Sequence, residues 1–507
     1  MKKLLRFESL IFLSIWLFLM LRGPARLFRD PGTFFHTRVG EYILTSGHLP
    51  QTDIFSFTYG GKPWIAHQWL GECLMALINR ISGFDGLLLA TATLLAWLFA
   101  WISHRLYRSG MHFMLVALII SLALAASAIH LHVRPHIVSI LFMALIFSRL
   151  SDFEGGHVKF RGLFWLIPIF IIWTNIHGGV LGGLGTMALM ITGWTLARIL
   201  RKESPLRNLK QGVKLWGLLI LCILTIFVNP YGVDLSKTWF SIMNSEIIPN
   251  IIQEHANAFK GQYGWIIFPL GFFFAVSLIG TFPKWPRTSW LIPLVWFVLA
   301  LSRIRHAPLF AVITAIALAD VFPCVRWTRW LAGKGSTVFK LIPVSSTGKF
   351  SLRHGIVPYL LILFAILFQI LSIRAPILGK EWANLDSRYW PIDLIPQLRS
   401  IGGDKPAGAA ILNDMRLGGF LIYYAPNLRV FIDDRCELYG DEGLLAYLNA
   451  DCAKLNYLSK QYEVSLAFAE PGSTIDNCLK RSSSWTTVGR TIPATLYKKS
   501  NRINKEY

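Results

Sequence analysis

Charge is scarce in this chain of 507 residues, and negative charge is scarcest. Asp and Glu total 28 against 50 Lys and Arg, and charged residues make up only 15%. Soluble globular domains carry about 25% charged residues, so an ordinary water-exposed protein is excluded. Cysteine is sparse too. Cys73, Cys222, Cys324, Cys436, Cys452 and Cys478 form no C-x-x-C pair, which removes zinc-ribbon and dithiol redox chemistry. There is no P-loop, no G-x-S-x-G elbow and no H-E-x-x-H helix, so three common routes to hydrolysis have no footing. There is also no internal repeat, which argues against a transporter built from duplicated halves.

What fills the chain is apolar. Hydrophobic residues are 54% of it and the mean hydropathy is +0.48. Runs near 7–21, 84–103, 112–129, 136–148, 163–174, 179–197, 215–228, 263–282, 289–301, 307–323 and 356–373 read as membrane spans. The expectation is a polytopic α-helical membrane protein of about eleven spans, with residues 1–374 as its membrane domain. Aromatic residues, 14% of the chain, suit packing and interfacial belts. The first run ends in Leu-Arg-Gly-Pro-Ala-Arg without an A-x-A site, which favours a retained signal-anchor. Residues 69–81 put Leu70, Leu74, Leu77 and Ile81 on one face of a helix too short to cross. They are expected to lie on the membrane surface.

Basic residues set the orientation. With the N-terminus inside, segments 1–6, 104–111, 149–162, 198–214, 283–288 and 326–355 hold 22 Lys and Arg. The opposite segments 22–68, 130–135, 230–262 and 302–306 hold 10 over more residues. The positive-inside rule therefore places the N-terminus in the cytoplasm. The net charge of +22 reflects topology and contact with anionic membrane lipids, and no basic-aromatic module for nucleic acid is present. Residues 375–507 then lie outside as a small α/β domain. AAILND, RVFIDDR (429–435), SLAFAE, WTTVGRT and ATLYKK read as strands; LGGFLIYY, LLAYL and STIDNCLKR read as helices. One disulfide among Cys436, Cys452 and Cys478 is compatible with that compartment. The cleft between the two domains is a natural ligand site.

Polar motifs gather on the outer side. The loop 22–68 carries Asp30, His36, Asp53 and His67, and Glu72 follows it. Arg134 and His136 open the fourth span, Asn175 and His177 lie at the turn after the fifth, and Glu254 follows the seventh. Arg303, Arg305 and His306 join the ninth and tenth. Ionisable groups at membrane depth are costly and mark function by default. Each also has a structural reading. Asp30 before Pro31 suits a turn or cap, Asp53 a loop anchor, His36 and His67 buried hydrogen bonds, Glu72 a solvated surface position. Arg134 and Arg303 suit headgroup anchors, Asn175 and His177 a helix end. Asp433, Asp434 and Arg435 read as an ion pair inside the α/β domain.

The stretch RDPGTFFHTRVGEYILTSGHLPQTDIFSFTYGGKPWIAHQWLGE and the tail segment GGFLIYYAPNLRVFIDDRCELYG resemble a bacterial subgroup of the GT-C superfamily of membrane glycosyltransferases. The resemblance covers nearly the whole chain. It departs at Gly32, where the subgroup usually has a second Asp, and at Gln68, where it has Glu. It implies an inverting transfer from a polyprenyl-phosphate-linked sugar to a glycan, lipid or protein acceptor outside the bacterial cytoplasmic membrane. It also implies that the first outer loop supplies the acceptor-engaging carboxylate, which by position is Asp30. Such chemistry needs a carboxylate for the hydroxyl (Asp30, Asp53 or Glu72) and cations for the departing phosphate (Arg134, Arg303, Arg305, His306). No cofactor is required, although Asp30, His36 and Glu72 would suit a divalent metal. A non-catalytic envelope scaffold is the competing class. The orientation has a direct check: a reporter active only in the cytoplasm, fused after Tyr507, is expected to be silent, and a bright fusion would reverse the topology.

Overall fold

The computed structural model describes residues 6–260, 264–341 and 355–500. Residues 1–5, 261–263, 342–354 and 501–507, with parts of the basic segments 1–6 and 326–355 among them, lie outside the described residues. Each apolar run falls on a helix. Among the described residues, seven helices are long and apolar enough to cross a bilayer: Phe7–Arg26, Trp69–Arg108, Phe113–His130, His136–Glu154, Val180–Ile199, Leu209–Phe227 and Ile304–Cys324. The other four, Phe160–Ile176, Gly264–Ile279, Thr288–Ser302 and Ile356–Ile370, are shorter. Seven of the eleven expected spans therefore meet the length of a crossing, and the other four coincide with these shorter apolar helices. Ile304–Cys324 is the most enclosed of the seven. Its Ala307, Ala311, Ala315, Ala317 and Ala319 are all buried, and small residues of this kind let neighbouring helices approach closely.

Two expectations for the N-terminal region change. Residues 22–68 are not a loop throughout. The first helix runs through Pro24 to Arg26, and Gly32–Ser46 forms a second helix ended by Gly47 in the left-handed region at φ 69°. Phe35, Val39 and Ile43 are buried at helical spacing, and that periodicity outweighs the polar residues between them. The helix from Trp69 does not stop at Ile81. It turns at Gly83, whose φ of 59° only glycine adopts readily, and resumes toward Arg108. Before that turn, Leu74, Leu77 and Ile81 are exposed while Glu72, Met75 and Ala76 are buried. The apolar face is thus turned away from the protein, as a membrane-surface helix requires.

The tail holds five strands: β1 (Ala409–Asn413), β2 (Leu428–Val430), β3 (Leu466–Ala469), β4 (Trp485–Arg490) and β5 (Thr495–Lys499). Their order is β2-β1-β3-β5-β4. β1 runs parallel to β2 and β3, and β5 runs antiparallel to both β3 and β4. LGGFLIYY lies in the helix Met415–Tyr424, LLAYL in Cys436–Leu448 and STIDNCLK in Thr474–Lys480. Helices Ile395–Gly403 and Cys452–Gln461 were not anticipated. Strand β2 is shorter than the expected 429–435. The Asn413 side chain accepts from Phe431 N–H and donates to the Ile432 carbonyl, so these groups leave the ladder early. The disulfide joins Cys452 to Cys478, with Cα atoms 5.3 Å apart, and Cys436 is a buried free thiol.

The loop and the tail are one packed unit. Val430 N–H donates to the Phe55 carbonyl and Phe57 N–H to the Val430 carbonyl, so F-S-F extends the edge at β2. Beneath this edge lies Arg435, only 2% exposed. It donates to Asp433 from Nε and Nη2, at 2.8 and 2.6 Å, and to Asp53 from Nη1 at 2.5 Å. Phe35, Phe55 and Trp64 surround it with ring centroids 5.2, 5.3 and 4.9 Å from Cζ. Breaking a buried pair by removing one partner costs about 3–5 kcal/mol. Arg435→Ala is therefore expected to lower the thermal unfolding temperature of the detergent-solubilised protein sharply, with Arg435→Lys recovering little because the fork is lost.

Candidate active site

A cavity of about 1300 Å³ lies between the membrane helices and the tail. Asp30, His36, His67, Arg134, His136, His177, Glu254, Arg303, Arg305 and His306 all line it. The polar motifs scattered through the chain thus meet in one chamber. Ile242, Ile251, Ile252, Leu181 and Trp296 add an apolar wall.

Asp30 sits in the turn between the first two helices. Its Oδ1 accepts from Gly32 N–H at 2.7 Å and its Oδ2 from Arg134 Nη1 at 3.0 Å. The turn role and the site position are both real. Gly32, where the subgroup usually has Asp, is tightly enclosed: a Cβ there would lie 2.7 Å from Asp30 Oδ1 and 2.8 Å from Arg134 Nε. The missing acid is therefore replaced in space by a guanidinium. Arg134 Nη2 faces His36 Nε2 at 3.3 Å, and His36 Nδ1 meets Glu72 Oε1 at 2.8 Å. With the guanidinium as donor, the imidazole accepts at Nε2 and donates from Nδ1, giving a relay Glu72–His36–Arg134–Asp30. His177 is oriented in a similar way. Its Nδ1 accepts from Gly179 N–H and from Ser139 Oγ, both at 2.9 Å, while Trp173 Nε1 donates to Ser139 at 2.7 Å.

Burial decides the charges. It pushes His36, His67 and His177 below the usual imidazole range, and nearby arginines push His36 and His177 further down. His255 falls to about 2 through burial and the Arg305 charge. The imidazoles are thus neutral at pH 7, and positive charge comes from arginine. For Arg134, burial is overcome by Asp30, Glu254 and Asp434, which hold its pKa above the ordinary value. Burial raises Glu254, yet His130, Arg134 and His132 hold it well below the carboxylate range. Arg303 donates to the Met243 carbonyl at 3.0 Å and Arg305 to His255. Among the described residues neither has a carboxylate in ion-pair range.

Three sequence candidates stand outside the cavity. Asp53 is 2% exposed and holds Arg435, Phe55 N–H and Ser56 N–H. Burial raises its pKa, but Arg435 and these hydrogen bonds bring it below the usual value. It anchors the loop. Glu72 is buried rather than solvated and lies one layer behind His36. Asn175 donates to the Ile171 and Val228 carbonyls and accepts from Trp69 Nε1, a purely structural set. Several lining residues were missed, His132 and Asp434 among them. His132 lines the cavity, and so does Asp434, which separates from its neighbours' ion pair. Asp434 Oδ1 is a buried oxygen without a hydrogen-bond partner among the described residues. Burial, with Asp30 and Asp433, raises this carboxyl to about 7 against the pull of Arg134. The doubled acid in VFIDDR was its only signal.

A metal set exists, but not the expected one. His36 and Glu72 are spent on each other. Asp30, His132 and Glu254 instead bring one ligand atom each within 4.8 Å of one another. Two carboxylates and an imidazole fit a divalent first-row cation.

The fold, a multi-helix body with an appended sheet domain, is shared with solved structures. Among solved structures, ArnT from Cupriavidus metallidurans bound to undecaprenyl phosphate is similar with TM-score 0.53 and 15% identity, over 97% of this chain and 98% of that one. The oligosaccharyltransferase of Archaeoglobus fulgidus in its apo form is similar with TM-score 0.52 and 11% identity, over 91% of this chain and 68% of that one. At these identities the likeness is one of fold. No family model matches the chain, and no curated protein matches it.

The G-G of the tail motif packs its helix closely against the turn that holds Asp30 and against the chain beside Asp433. A Cβ on Gly419 would overlap the Pro31 carbonyl, and one on Gly418 the Ile432 carbonyl. Overpacking of this kind typically costs about 1–3 kcal/mol. Gly419→Ala is expected to destabilise the protein by that amount in thermal unfolding, because backbone beside Asp30 has to move.

Proposed function

We propose that this chain is a membrane glycosyltransferase that moves a sugar from a polyprenyl-phosphate-linked donor to an acceptor at the outer face of the bacterial cytoplasmic membrane. One observation carries the reading. Arg303 and Arg305, free of carboxylate partners among the described residues, share a cavity with the Asp30–Arg134 pair and the open oxygen of Asp434. Arginines not already neutralised suit a phosphate, and ArnT of Cupriavidus metallidurans, similar in fold, is bound to undecaprenyl phosphate. The apolar wall suits the isoprenoid chain.

In the proposed reaction, the acceptor oxygen attacks the anomeric carbon opposite the phosphate. The new C–O bond forms as the bond to the phosphate oxygen breaks, and its electron pair leaves with the lipid phosphate. Asp30, held by Arg134, engages the acceptor hydroxyl, and Asp434 receives its proton. Arg303 and Arg305 stabilise the charge gathering on the phosphate. A divalent cation held by Asp30, His132 and Glu254 would supply further charge neutralisation. Glu72 and His36 orient Arg134, and Asp53 holds the loop.

Asp30→Asn keeps size and removes charge, and turnover is expected to fall about 10²–10⁴-fold with undecaprenyl phosphate binding retained. Asp434 is ionised above pH about 7 and protonated below it. Turnover should therefore decline as the pH drops through that value, and Asp434→Asn should abolish the limb together with most activity. If both Asn variants turn over like the parent, the assignment of the two acids is wrong. Arg303→Ala and Arg305→Ala should each weaken undecaprenyl phosphate binding about tenfold or more. Unchanged binding in both would remove the donor assignment.

A further inference from the structure

The sheet contributes more to the cavity than Asp434. β1, β2 and β3 run parallel, so their carboxyl ends share one edge. The residues that follow those ends line the cavity: Asp414 and Arg416 after β1, Asp434 and Glu437 after β2, Glu470 and Ser473 after β3. The order places β2 on one side of β1 and β3 on the other. The chain leaves β1 toward β2 and later returns beyond β1 to form β3, so the crevice between β1 and β3 is a topological switch point. Open α/β sheets bind ligands outside the carboxyl ends of their strands at such a point.

The crevice is built and held. Asp414 Oδ2 accepts from Glu470 N–H and from Ser473 Oγ, each at 2.7 Å, which ties the two strand ends together. Arg416 Nε donates to Glu470 Oε1 at 3.0 Å and Nη1 donates to the Tyr389 carbonyl at 2.9 Å. Its guanidinium lies 5.0 Å from the centroid of the Tyr389 ring, which also lines the cavity. Arg416 and Glu470 neutralise each other while remaining partly exposed. The crevice therefore offers donors, acceptors, a hydroxyl and an aromatic ring, and its one guanidinium is already paired. That inventory matches vicinal hydroxyl groups, which donate and accept side by side. A phosphate or carboxylate would find an unpaired cation on the Arg303 side of the cavity, not here.

We propose that the crevice between β1 and β3, built from Asp414, Arg416, Glu470, Ser473 and Tyr389, is a subsite for a neutral polyhydroxylated acceptor, a glycan. The subsite opens into the chamber that holds Asp434 and Asp30, so a glycan seated there presents a hydroxyl toward both acids. The inference rests on the transferase reading for its biological meaning, but saccharide binding is measurable without turnover.

The test uses the full chain in lipid nanodiscs and saturation-transfer NMR. The probes are maltotriose, cellotriose and N,N′,N″-triacetylchitotriose as neutral saccharides, trigalacturonate as an anionic one, and a Ser/Thr-containing hexapeptide. The parent is expected to bind a neutral trisaccharide in preference to the anionic one and the peptide. Glu470→Gln and Ser473→Ala are each expected to weaken that binding about tenfold, the scale of one hydrogen bond involving a charged or tightly held group. Both variants should keep the parent's affinity for undecaprenyl phosphate, and Glu470→Gln, at a partly exposed pair, should also keep its melting temperature. Arg416→Lys keeps the charge and loses the fork, and should fall between. The subsite is overturned if no neutral trisaccharide binds, if the peptide or the anionic sugar binds instead, or if both variants bind like the parent. Failure of the parent to bind undecaprenyl phosphate, with saccharide binding and its loss intact, would instead overturn the transferase reading and leave the subsite standing.

Discussion

The buried guanidinium of Arg435 is the interaction on which the rest of the structure depends. Two regions distant in sequence meet at it: Asp53 with the ring box of Phe35, Phe55 and Trp64 from residues 22–68, and Asp433 beside it in the tail. A charge this deeply desolvated is tolerable only when its donors are all met. The geometry that meets them leaves little freedom in how the loop lies on the sheet. Once the loop is seated along β2, the turn holding Asp30 is held under Gly419, and Asp434 is left facing it.

The same desolvation organises the chemistry. Desolvation and the neighbouring arginines strip His36 and His177 of their protons, and both serve as neutral hydrogen-bonding groups. Arginine, which cannot be neutralised in this range, carries the positive charge. The acids divide by partner. Glu254 has His130 and Arg134 beside it and stays ionised, whereas Asp434 has an unpartnered oxygen and Asp30 nearby and titrates close to neutrality. One chamber thus holds fixed cations, a fixed anion and an acid able to exchange a proton, which is what transfer from a phosphate leaving group to a hydroxyl demands.

Particular residues show how far the linear chain could be read. The apolar runs located the helices because hydrophobic length and periodicity are local properties. The gathering of Asp30, Arg134, His177, Glu254 and Arg305 was legible because alternate loops of a serpentine membrane chain return to one side. The helix Gly32–Ser46 was obscured by polar residues whose partners, such as Glu72 for His36, come from other helices. Asp434 was read together with Asp433 and Arg435 because adjacency in sequence suggests a shared ion pair. The backbone after β2 leaves the ladder through Asn413 and sends successive side chains in different directions.

The sequence by itself determined that this is a multi-span membrane protein, where its apolar helices and its strands fall, and which polar motifs were candidates for a shared site. Those properties follow from composition and short-range period, which every segment carries within itself. The tertiary structure decided which acids face the cavity and which hold the fold, which ligand atoms converge on a metal-sized space, which cysteines pair, and that three strand ends open on the chamber. Each of these depends on distances between residues separated in sequence, from 26 positions for the disulfide to 382 for Asp53 and Arg435. Those distances are set by close packing at Gly418 and Gly419 and by the buried ion pairs of Arg435, and neither contact has a signature until its partner is in place.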